Sequence, residues 1–283
     1  WEAAGGGVTS KTFGTSSIMV GDDATGTINA ADYNTALGVD VFAALTTGDN
    51  NVAVGFGTMG ALTSGYSNVA VGANALDSAT TGHTSTAVGH NALTAVTTAA
   101  YNTAVGFDAG KAITTGNHNT ALGMNAMNSG TTAHNNTVLG AGGGVSMTDA
   151  IGNTITGMVS GIALTTGDYN VISGYAAGYA ITTGDANIFS GASAGLHITT
   201  GSNNIGIGVN ALNTATTTSG QTAVGHQALK SLTTGAGNTA FGFEAGNKVT
   251  SGGGTTAIGS EAGEAITTGA FNTCVGIVAG STI

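Results

Sequence analysis

Charge, cysteine, aromatic residues and proline are all scarce or missing in this sequence. Only 6% of the 283 residues are charged and 5% are aromatic, and there is one cysteine and no proline. Low charge combined with 41% hydrophobic residues argues against intrinsic disorder, because disordered chains are polar and charged. The single Cys274 excludes a framework of disulfides within one chain.

The few charges that are present exclude several partners. Fourteen acidic residues and four lysines, with no arginine, give a net charge of −10. Such a chain has almost nothing to neutralise phosphates, so we expect no binding to nucleic acid or to an anionic membrane surface. No apolar run approaches the roughly 18 residues that cross a bilayer, so no membrane insertion is expected. The chain begins at Trp1 without a leader, which predicts a mature chain or a fragment.

What the sequence has in abundance is one repeated pattern. NTAVGFDAG at residues 102–110 returns at a fixed spacing of 17 residues, without insertion or deletion, and gives sixteen units from residue 17 to 283 after an irregular segment at 1–16. We number the positions of a unit as columns 1 to 17, with Asn102 in column 1. A fixed short period is typical of a solenoid. The predicted fold is all-β, a parallel β-solenoid (β-roll) of about sixteen coils of 17 residues.

Glycine marks the corners of the predicted coil. Column 5 is Gly in all sixteen units, which indicates a positive φ or no room for a side chain, and column 15 is mostly Gly. Two extended segments per coil, NTAVG and AITTG, are expected between these corners, and their Val, Ile and Thr favour strands. The predicted structural turns are Gly38, Gly55, Gly72, Gly89, Gly106, Gly123, Gly140, Gly157, Gly174, Gly191, Gly208, Gly225, Gly242, Gly259 and Gly276.

Asparagine occupies column 1 in twelve of the sixteen units. Stacked in register, these side chains would form an amide ladder, or they would serve a corner that tolerates Asn. Both alternatives are structural, and neither is catalytic. The predicted ladder comprises Asn51, Asn68, Asn102, Asn119, Asn136, Asn153, Asn170, Asn187 and Asn204.

Columns 3 and 4 are neighbours on a strand and therefore face opposite sides. Column 4 is usually large, as at Val105, and column 3 is usually Ala, as at Ala104. We expect Val105 and Ile113 to fill the coil interior, and Ala104 to lie close to a neighbouring chain. The Gly-rich residues 140–152 predict a weakened coil.

Chemistry-bearing residues do not gather on the repeat. Asp168 and Asp185 share column 16 on successive coils, so a Ca²⁺ ion between them is a weak candidate, and no other metal or cofactor is expected. The six histidines are dispersed, and only His118 and His134 fall on adjacent coils in neighbouring columns. With one Cys, no Arg and uniformly short turns, there is no insertion that would build a pocket, so an enzyme is not expected.

The units NTAVGFDAG, NTALGMNAM, NVAVGANAL and NTAFGFEAG resemble repeats of trimeric autotransporter adhesin heads. They are still more similar to arrays in bacteriophage tail-fibre and related surface-fibre proteins. The resemblance implies an extracellular, cell-surface or virion-surface fibre that holds something at a distance, adheres or polymerises. Its expected partner is itself, as a homotrimer or an end-to-end polymer, with a cell-surface receptor or glycan as a further candidate.

We therefore expect a structural subunit that assembles through its coil ends and an apolar lateral face. Binding to ice or another flat surface through Thr arrays is the alternative. Because adjacent residues on a strand point to opposite faces, the Thr-Thr pair of columns 13 and 14 is not expected to share one flat surface.

Overall fold

The computed structural model describes residues 9–11, 17–21 and 30–281, with side chains from residue 17 onward. It confirms the predicted class: the fold is an all-β solenoid of parallel strands spaced 17 residues apart, and the described residues contain no helix. The chain divides into two compact units, residues 1–135 and 136–283.

The first unit contains strands β1 to β8. Strands β2 to β8 pair in parallel with a register of one repeat, so that Thr103, Ala104 and Val105 lie beside Thr120, Ala121 and Leu122. Strand β1 lies within the segment predicted to be irregular and pairs antiparallel with β2. The bounds are Thr9–Lys11, Ile18–Gly21, Thr35–Gly38, Val52–Val54, Val69–Val71, Thr86–Val88, Thr103–Val105 and Thr120–Leu122.

The second unit contains strands β9 to β17, and they are parallel with the same register. Thr154, Ile155 and Thr156 of β10, for example, lie beside Val171, Ile172 and Ser173 of β11. The bounds are Thr137–Leu139, Thr154–Thr156, Val171–Ser173, Ile188–Ser190, Ile205–Ile207, Thr222–Val224, Thr239–Phe241, Thr256–Ile258 and Thr273–Val275.

Each coil carries one strand, not the two that were predicted. The strand covers columns 2 to 4, and the Gly of column 5 then turns the chain with φ between 124° and 149°. The AITTG segment is a bend: the backbone N–H groups of Thr46 and Thr47 both donate to the carbonyl of Thr63 on the next coil, at 2.9 and 3.1 Å. Two donors on one acceptor do not form a β-ladder, so the second predicted strand was wrong.

The core of each coil is built from columns 1, 3, 8, 9, 12 and 15. Ala104 of column 3 is fully buried, whereas Val105 of column 4 is partly exposed, so the predicted orientation of these two residues was reversed. The reason is the narrow interior. A Cβ on Gly110 of column 9 would lie 3.7 Å from the Ala104 methyl and 3.1 Å from Ile113, so the side chains of columns 3, 9 and 12 share one small space. A larger column 3 residue such as Ile172 occurs in a coil with Gly178 in column 9.

The side chains of columns 9 and 12 share one space in the core, as the complementary sizes of these residues in the sequence indicate. Where column 9 is Gly, a large residue such as Ile113 fills the core, and where column 12 is Gly130, the side chain of Met127 occupies the gap. Column 9 also has a left-handed backbone, with φ of 53° at both Leu93 and Met127. Its glycines therefore relieve backbone strain as well as crowding.

The Gly-rich coil at residues 136–152 keeps the strand and turns of its neighbours within the second unit. Gly140, Gly142 and Gly144 stand in columns 5, 7 and 9, all of which have positive φ in other coils. Gly143 makes room for a larger column 3 residue, since a Cβ there would lie 3.0 Å from Val138. The lower stability predicted for this coil stays a prediction.

Candidate functional surface

The outer face of the strands carries an exposed row of apolar side chains. Columns 2 and 4 point outward because column 3 points into the core, and column 6 continues the same surface beyond the glycine turn. We call the outward side chains of columns 2, 4 and 6 in either unit its apolar strip. The more exposed large members are Ile18, Leu37, Val39, Phe56, Val69, Val71, Phe107, Leu122 and Met124 in the first unit, and Met158, Val171, Tyr175, Ile188, Ile207, Val209, Phe241, Phe243, Ile258, Val275 and Ile277 in the second.

No Asp, Glu, Lys or Arg lies in columns 1 to 6 between residues 30 and 281. At a strand spacing of about 4.8 Å and a rise of about 3.3 Å per residue, the strip of either unit covers on the order of 400 Å² in projection. The largest apolar patch of a soluble protein is often of about this size and is often functional. The sequence pattern located these columns, but their exposure became evident only from the structure.

The column 1 side chains form a buried hydrogen-bonded ladder, which corresponds to the first of the two alternatives. Asn170 Nδ2 donates to Asn153 Oδ1 at 3.0 Å and to the Gly184 carbonyl at 2.9 Å. Asn170 Oδ1 accepts from the backbone N–H and from Nδ2 of Asn187, at 2.9 and 3.0 Å. The same side-chain to side-chain bonds link Asn34, Asn51 and Asn68, and Asn102 and Asn119, in the first unit, and Asn136, Asn153, Asn170, Asn187 and Asn204 in the second.

Substitutions in the ladder show what its position requires. At Ser85 the side-chain bonding is interrupted, although Asn102 N–H still reaches the Ser85 hydroxyl at 3.3 Å. Gln221 keeps both functions, because its Nε2 donates to the Gly235 carbonyl at 2.8 Å and its Oε1 accepts from Asn238 N–H at 3.0 Å. Column 1 is thus a structural site where Asn and Gln both donate and accept, although Thr255 stands there with a buried hydroxyl that makes no hydrogen bond.

Asp168 and Asp185 belong to a second ladder, which the sequence did not reveal. In column 16 a side-chain acceptor on one coil receives the backbone N–H of the preceding coil. Asp168 Oδ1 accepts from Ile151 at 2.7 Å, and Asp185 Oδ1 accepts from Asp168 at 2.8 Å. Asn, His and Ser supply the same acceptor in other coils, so the bond requires an acceptor and not a charge.

The carboxylates of Asp168 and Asp185 are therefore occupied by backbone donors. Among the described residues, no three His, Cys, Asp or Glu side chains lie close enough together to hold a metal ion. We expect the melting temperature to be unchanged in chelator, as measured by circular dichroism with and without EDTA. A fall that added Ca²⁺ reverses would contradict this expectation.

The Thr-Thr pair of columns 13 and 14 lies at the surface in every described coil that has it. Column 13 hydroxyls donate to the carbonyl of the same column on the next coil, as Thr114 does to Thr131 at 2.9 Å. Column 14 side chains, such as Thr115, are exposed. The two columns do not point to opposite faces as predicted, because the segment is a bend.

Aromatic rings and histidines stack along one corner of the first unit. Tyr66, His83, Tyr101 and His118 form a row in columns 16 and 17, with successive ring centroids 4.7, 5.2 and 4.8 Å apart. His134 is engaged separately, as its Nδ1 accepts from Asn117 N–H at 3.0 Å. The Tyr66–His83 and Tyr101–His118 pairs are stacked and the His83–Tyr101 pair is edge-on. Because every ring contacts the next, we interpret the row as a structural element of the corner.

Asp108 and Asp77 in the first unit have opposite electrostatic environments. Burial alone would raise the pKa of Asp108, but hydrogen bonds from Asn91 at 2.9 Å and Lys111 at 3.0 Å, with the charges of Lys111 and nearby His90, lower it below its usual range. Burial raises the pKa of Asp77, and a backbone hydrogen bond at Gly60 offsets this only in part.

We expect Asp108→Asn to lower the free energy of unfolding by about 1 kcal/mol at pH 7, since the carboxylate is partnered. A lowered folded pKa contributes stability above the unfolded value of about 3.9, and that stability is lost as the pH falls through the folded pKa. Urea unfolding from pH 7 to pH 2 should therefore show the difference from the wild type vanish at the acidic end.

Asp77→Asn is the matched control. Its raised pKa predicts the opposite sign: the ionised carboxylate destabilises the fold, so the variant should gain stability near neutral pH and match the wild type in acid. Parallel pH profiles for the two variants would contradict the assignment.

The described residues contain no helix with the length and hydropathy of a membrane span. The sequence matches no known family, and no curated protein matches it. Function must therefore be argued from the surface itself.

Proposed function

We propose that the chain is a structural subunit of an extracellular fibre or filament, at a cell or virion surface, and that its copies pack against one another through the apolar strip. One observation carries the proposal: between residues 30 and 281 the outer face of the strands has no Asp, Glu, Lys or Arg and exposes large apolar side chains on most coils. Water-exposed apolar area of this extent is stabilised by covering it.

A second copy of the chain is the occupant that fits best. The strip of either unit comes within about a factor of two of the roughly 800 Å² that one partner buries in a stable interface. A second copy offers the same strand spacing and the same absence of charge, as the core of an interface requires. Between residues 30 and 281 the acidic residues lie in other columns, so packing of the strips does not bury their charge.

Lateral packing is favoured over end-to-end stacking at the first coil. β1 already pairs antiparallel with β2, from Thr9 opposite Gly21 to Lys11 opposite Met19. A second chain adding to that edge would have to displace β1. The outer face of the sheet has no such competitor among the described residues.

Sedimentation velocity at micromolar concentration tests the proposal directly. The wild type should sediment as an assembly of the 27.0 kDa chain, and electron microscopy should show fibres or bundled rods. Replacing two strip residues, Val71→Lys and Leu122→Lys, should dissociate the assembly by burying unpaired charge. A wild type that is monomeric at all concentrations would overturn the proposal.

The matched control places the same charges outside the strip. Thr98 and Thr115 are exposed in column 14 of the same unit, so Thr98→Lys with Thr115→Lys changes net charge equally. This variant should remain assembled. Circular dichroism of both variants checks that neither has unfolded.

Binding to ice or to another flat surface is the second candidate, and one observation favours it. Columns 13 and 14 form a regular double row of surface Thr, with column 14 exposed on every described coil. A thermal hysteresis measurement decides the matter. If the Thr rows bind ice, Thr98→Tyr with Thr115→Tyr should abolish the hysteresis, whereas absence of hysteresis in the wild type rejects this candidate.

A further inference from the structure

Three successive coils of the second unit break the apolar character of column 4. Thr156, Ser173 and Ser190, on β10, β11 and β12, stand where Leu139 precedes them and Ile207 follows. Their side chains are on the outer face, Thr156 exposed and both serines half-exposed. None of the three hydroxyls is hydrogen-bonded to another described group of the protein. We call these residues the hydroxyl block.

Core packing does not explain the hydroxyl block. In these coils column 3 is enlarged to Ile155, Ile172 and Phe189, and column 9 is Gly to make room, since a Cβ on Gly195 would lie 2.6 Å from Phe189. That exchange takes place inside the coil. Column 4 points the other way, so an outward Val or Leu would leave the interior unchanged.

A strip of near-identical coils specifies axial register poorly when it serves as an interface. Outside the hydroxyl block, a copy displaced by one coil would again meet an apolar residue in column 4 and most often Thr in column 2, at the same spacing. A flat face with a short repeat is prone to such slippage. One polar group in an otherwise apolar interface removes the degeneracy, as a single buried Asn does in a coiled coil.

We infer that the hydroxyl block of Thr156, Ser173 and Ser190 sets the axial register between copies of the chain. This inference rests on the proposed lateral assembly. When the blocks of two copies lie at the same level, their hydroxyls donate to and accept from one another. When one copy is displaced, hydroxyls are buried against apolar side chains without partners, which disfavours that register.

The same block indicates a parallel arrangement. With two copies parallel and in register, all nine strands of the second unit, β9 to β17, face their equivalents. An antiparallel pair that still superposes the blocks must be centred on β11, and then only β9 to β13 face strands of the same unit in the other copy. Within the second unit the parallel arrangement covers nine strands and the antiparallel one five, so this unit favours the parallel arrangement.

Cysteine crosslinking tests the register. In a Cys274→Ala background, Val224→Cys and Ile258→Cys place single thiols in column 4, two coils or about 9.6 Å apart along the stack. A disulfide needs Cα atoms within about 7 Å, so a mixed 224–258 bond requires a displaced register. In mixtures of the two proteins, same-site dimers should exceed mixed dimers by about tenfold or more, the factor expected for one unpaired hydroxyl.

The triple variant Thr156→Val, Ser173→Val and Ser190→Val should assemble at least as tightly, yet lose this selectivity, so that mixed dimers approach same-site dimers in yield. The control variant removes three hydroxyls from column 14 of the same coils, through Thr166→Val, Thr183→Val and Thr200→Val, and should keep wild-type selectivity.

Sedimentation distinguishes failure of the proposed lateral assembly from failure of the register inference. A wild type that does not assemble overturns the lateral packing and the register inference together. If the wild type assembles, but the single-cysteine variants give no same-site dimers or give mixed dimers as readily, the register inference alone is overturned. Unchanged selectivity in the triple variant does the same.

Discussion

Replacing Asn170 with alanine should lower the free energy of unfolding by about 3 kcal/mol or more, one of the two largest effects expected for a single side chain in this protein. The wild-type amide is fully buried and makes four side-chain hydrogen bonds, to Asn153, to Gly184 and twice to Asn187. Alanine leaves the Gly184 carbonyl and the Asn187 N–H without their partner in an interior that water does not reach.

Asn170→Gln is the control that separates lost hydrogen bonds from altered volume. Gln221 already performs both functions at another position of column 1, so glutamine should cost much less than alanine. Asn170→Asp retains shape but loses both donors and sets a carboxylate against the Asn153 and Gly184 oxygens, and should be as damaging as alanine. Urea unfolding with equal losses for glutamine and alanine would contradict the ladder's energetic role.

The fold class was predictable because one period governs the whole repeat. A spacing of 17 residues, kept without insertion, leaves a stacked coil as the natural solution, and Gly in column 5 located the corner. The Asn column was read as either a ladder or a tolerant corner, and the structure supplies the bonds of the ladder. Sequence alone could not choose, because an amide serves both purposes.

The burial of columns 3 and 4 was predicted the wrong way round for a physical reason. Larger apolar residues are normally buried, so Val105 was assigned to the interior and Ala104 to the outside. In this coil columns 3, 9 and 12 share a narrow interior, and Ile113 of column 12 and Leu93 of the preceding coil already crowd the position of Gly110. The size of an apolar residue does not predict whether it is buried when the outer face of the strand also carries apolar residues.

The second strand was predicted wrongly and the column 16 ladder was missed, for different reasons. Thr-rich AITTG has β-propensity, yet two N–H groups share one carbonyl there, and propensity does not encode that geometry. In column 16 the acceptor is supplied by different residue types and is missing from several coils, so the sequence indicates Asp168 as a candidate ligand, whereas its carboxylate accepts from the backbone N–H of Ile151. Both features depend on contacts between coils.

Replacing Gly106 with alanine should be at least as damaging as the loss of Asn170, with a cost of about 3 kcal/mol or more. Gly106 has φ of 139°, a region that residues with a Cβ rarely adopt. A Cβ there would stand 2.5 Å from the carbonyl oxygen and 2.7 Å from the carbonyl carbon of Gly123 on the next coil. Both obstacles are backbone atoms held by the stacking, so relief requires the coils to separate.

A glycine with ordinary positive φ and free space provides the comparison. Gly220 in column 17 has φ of 70° and nothing within 4 Å of a Cβ, and other coils place Asn50, Asn135 and Asn203 in that column. Gly220→Asn should therefore change stability by less than about 1 kcal/mol. If thermal unfolding showed equal losses of stability for Gly106→Ala and Gly220→Asn, the positive φ alone would explain why glycine stands at both positions. A large loss for Gly106→Ala alone identifies coil-to-coil contact as the constraint that keeps column 5 free of side chains.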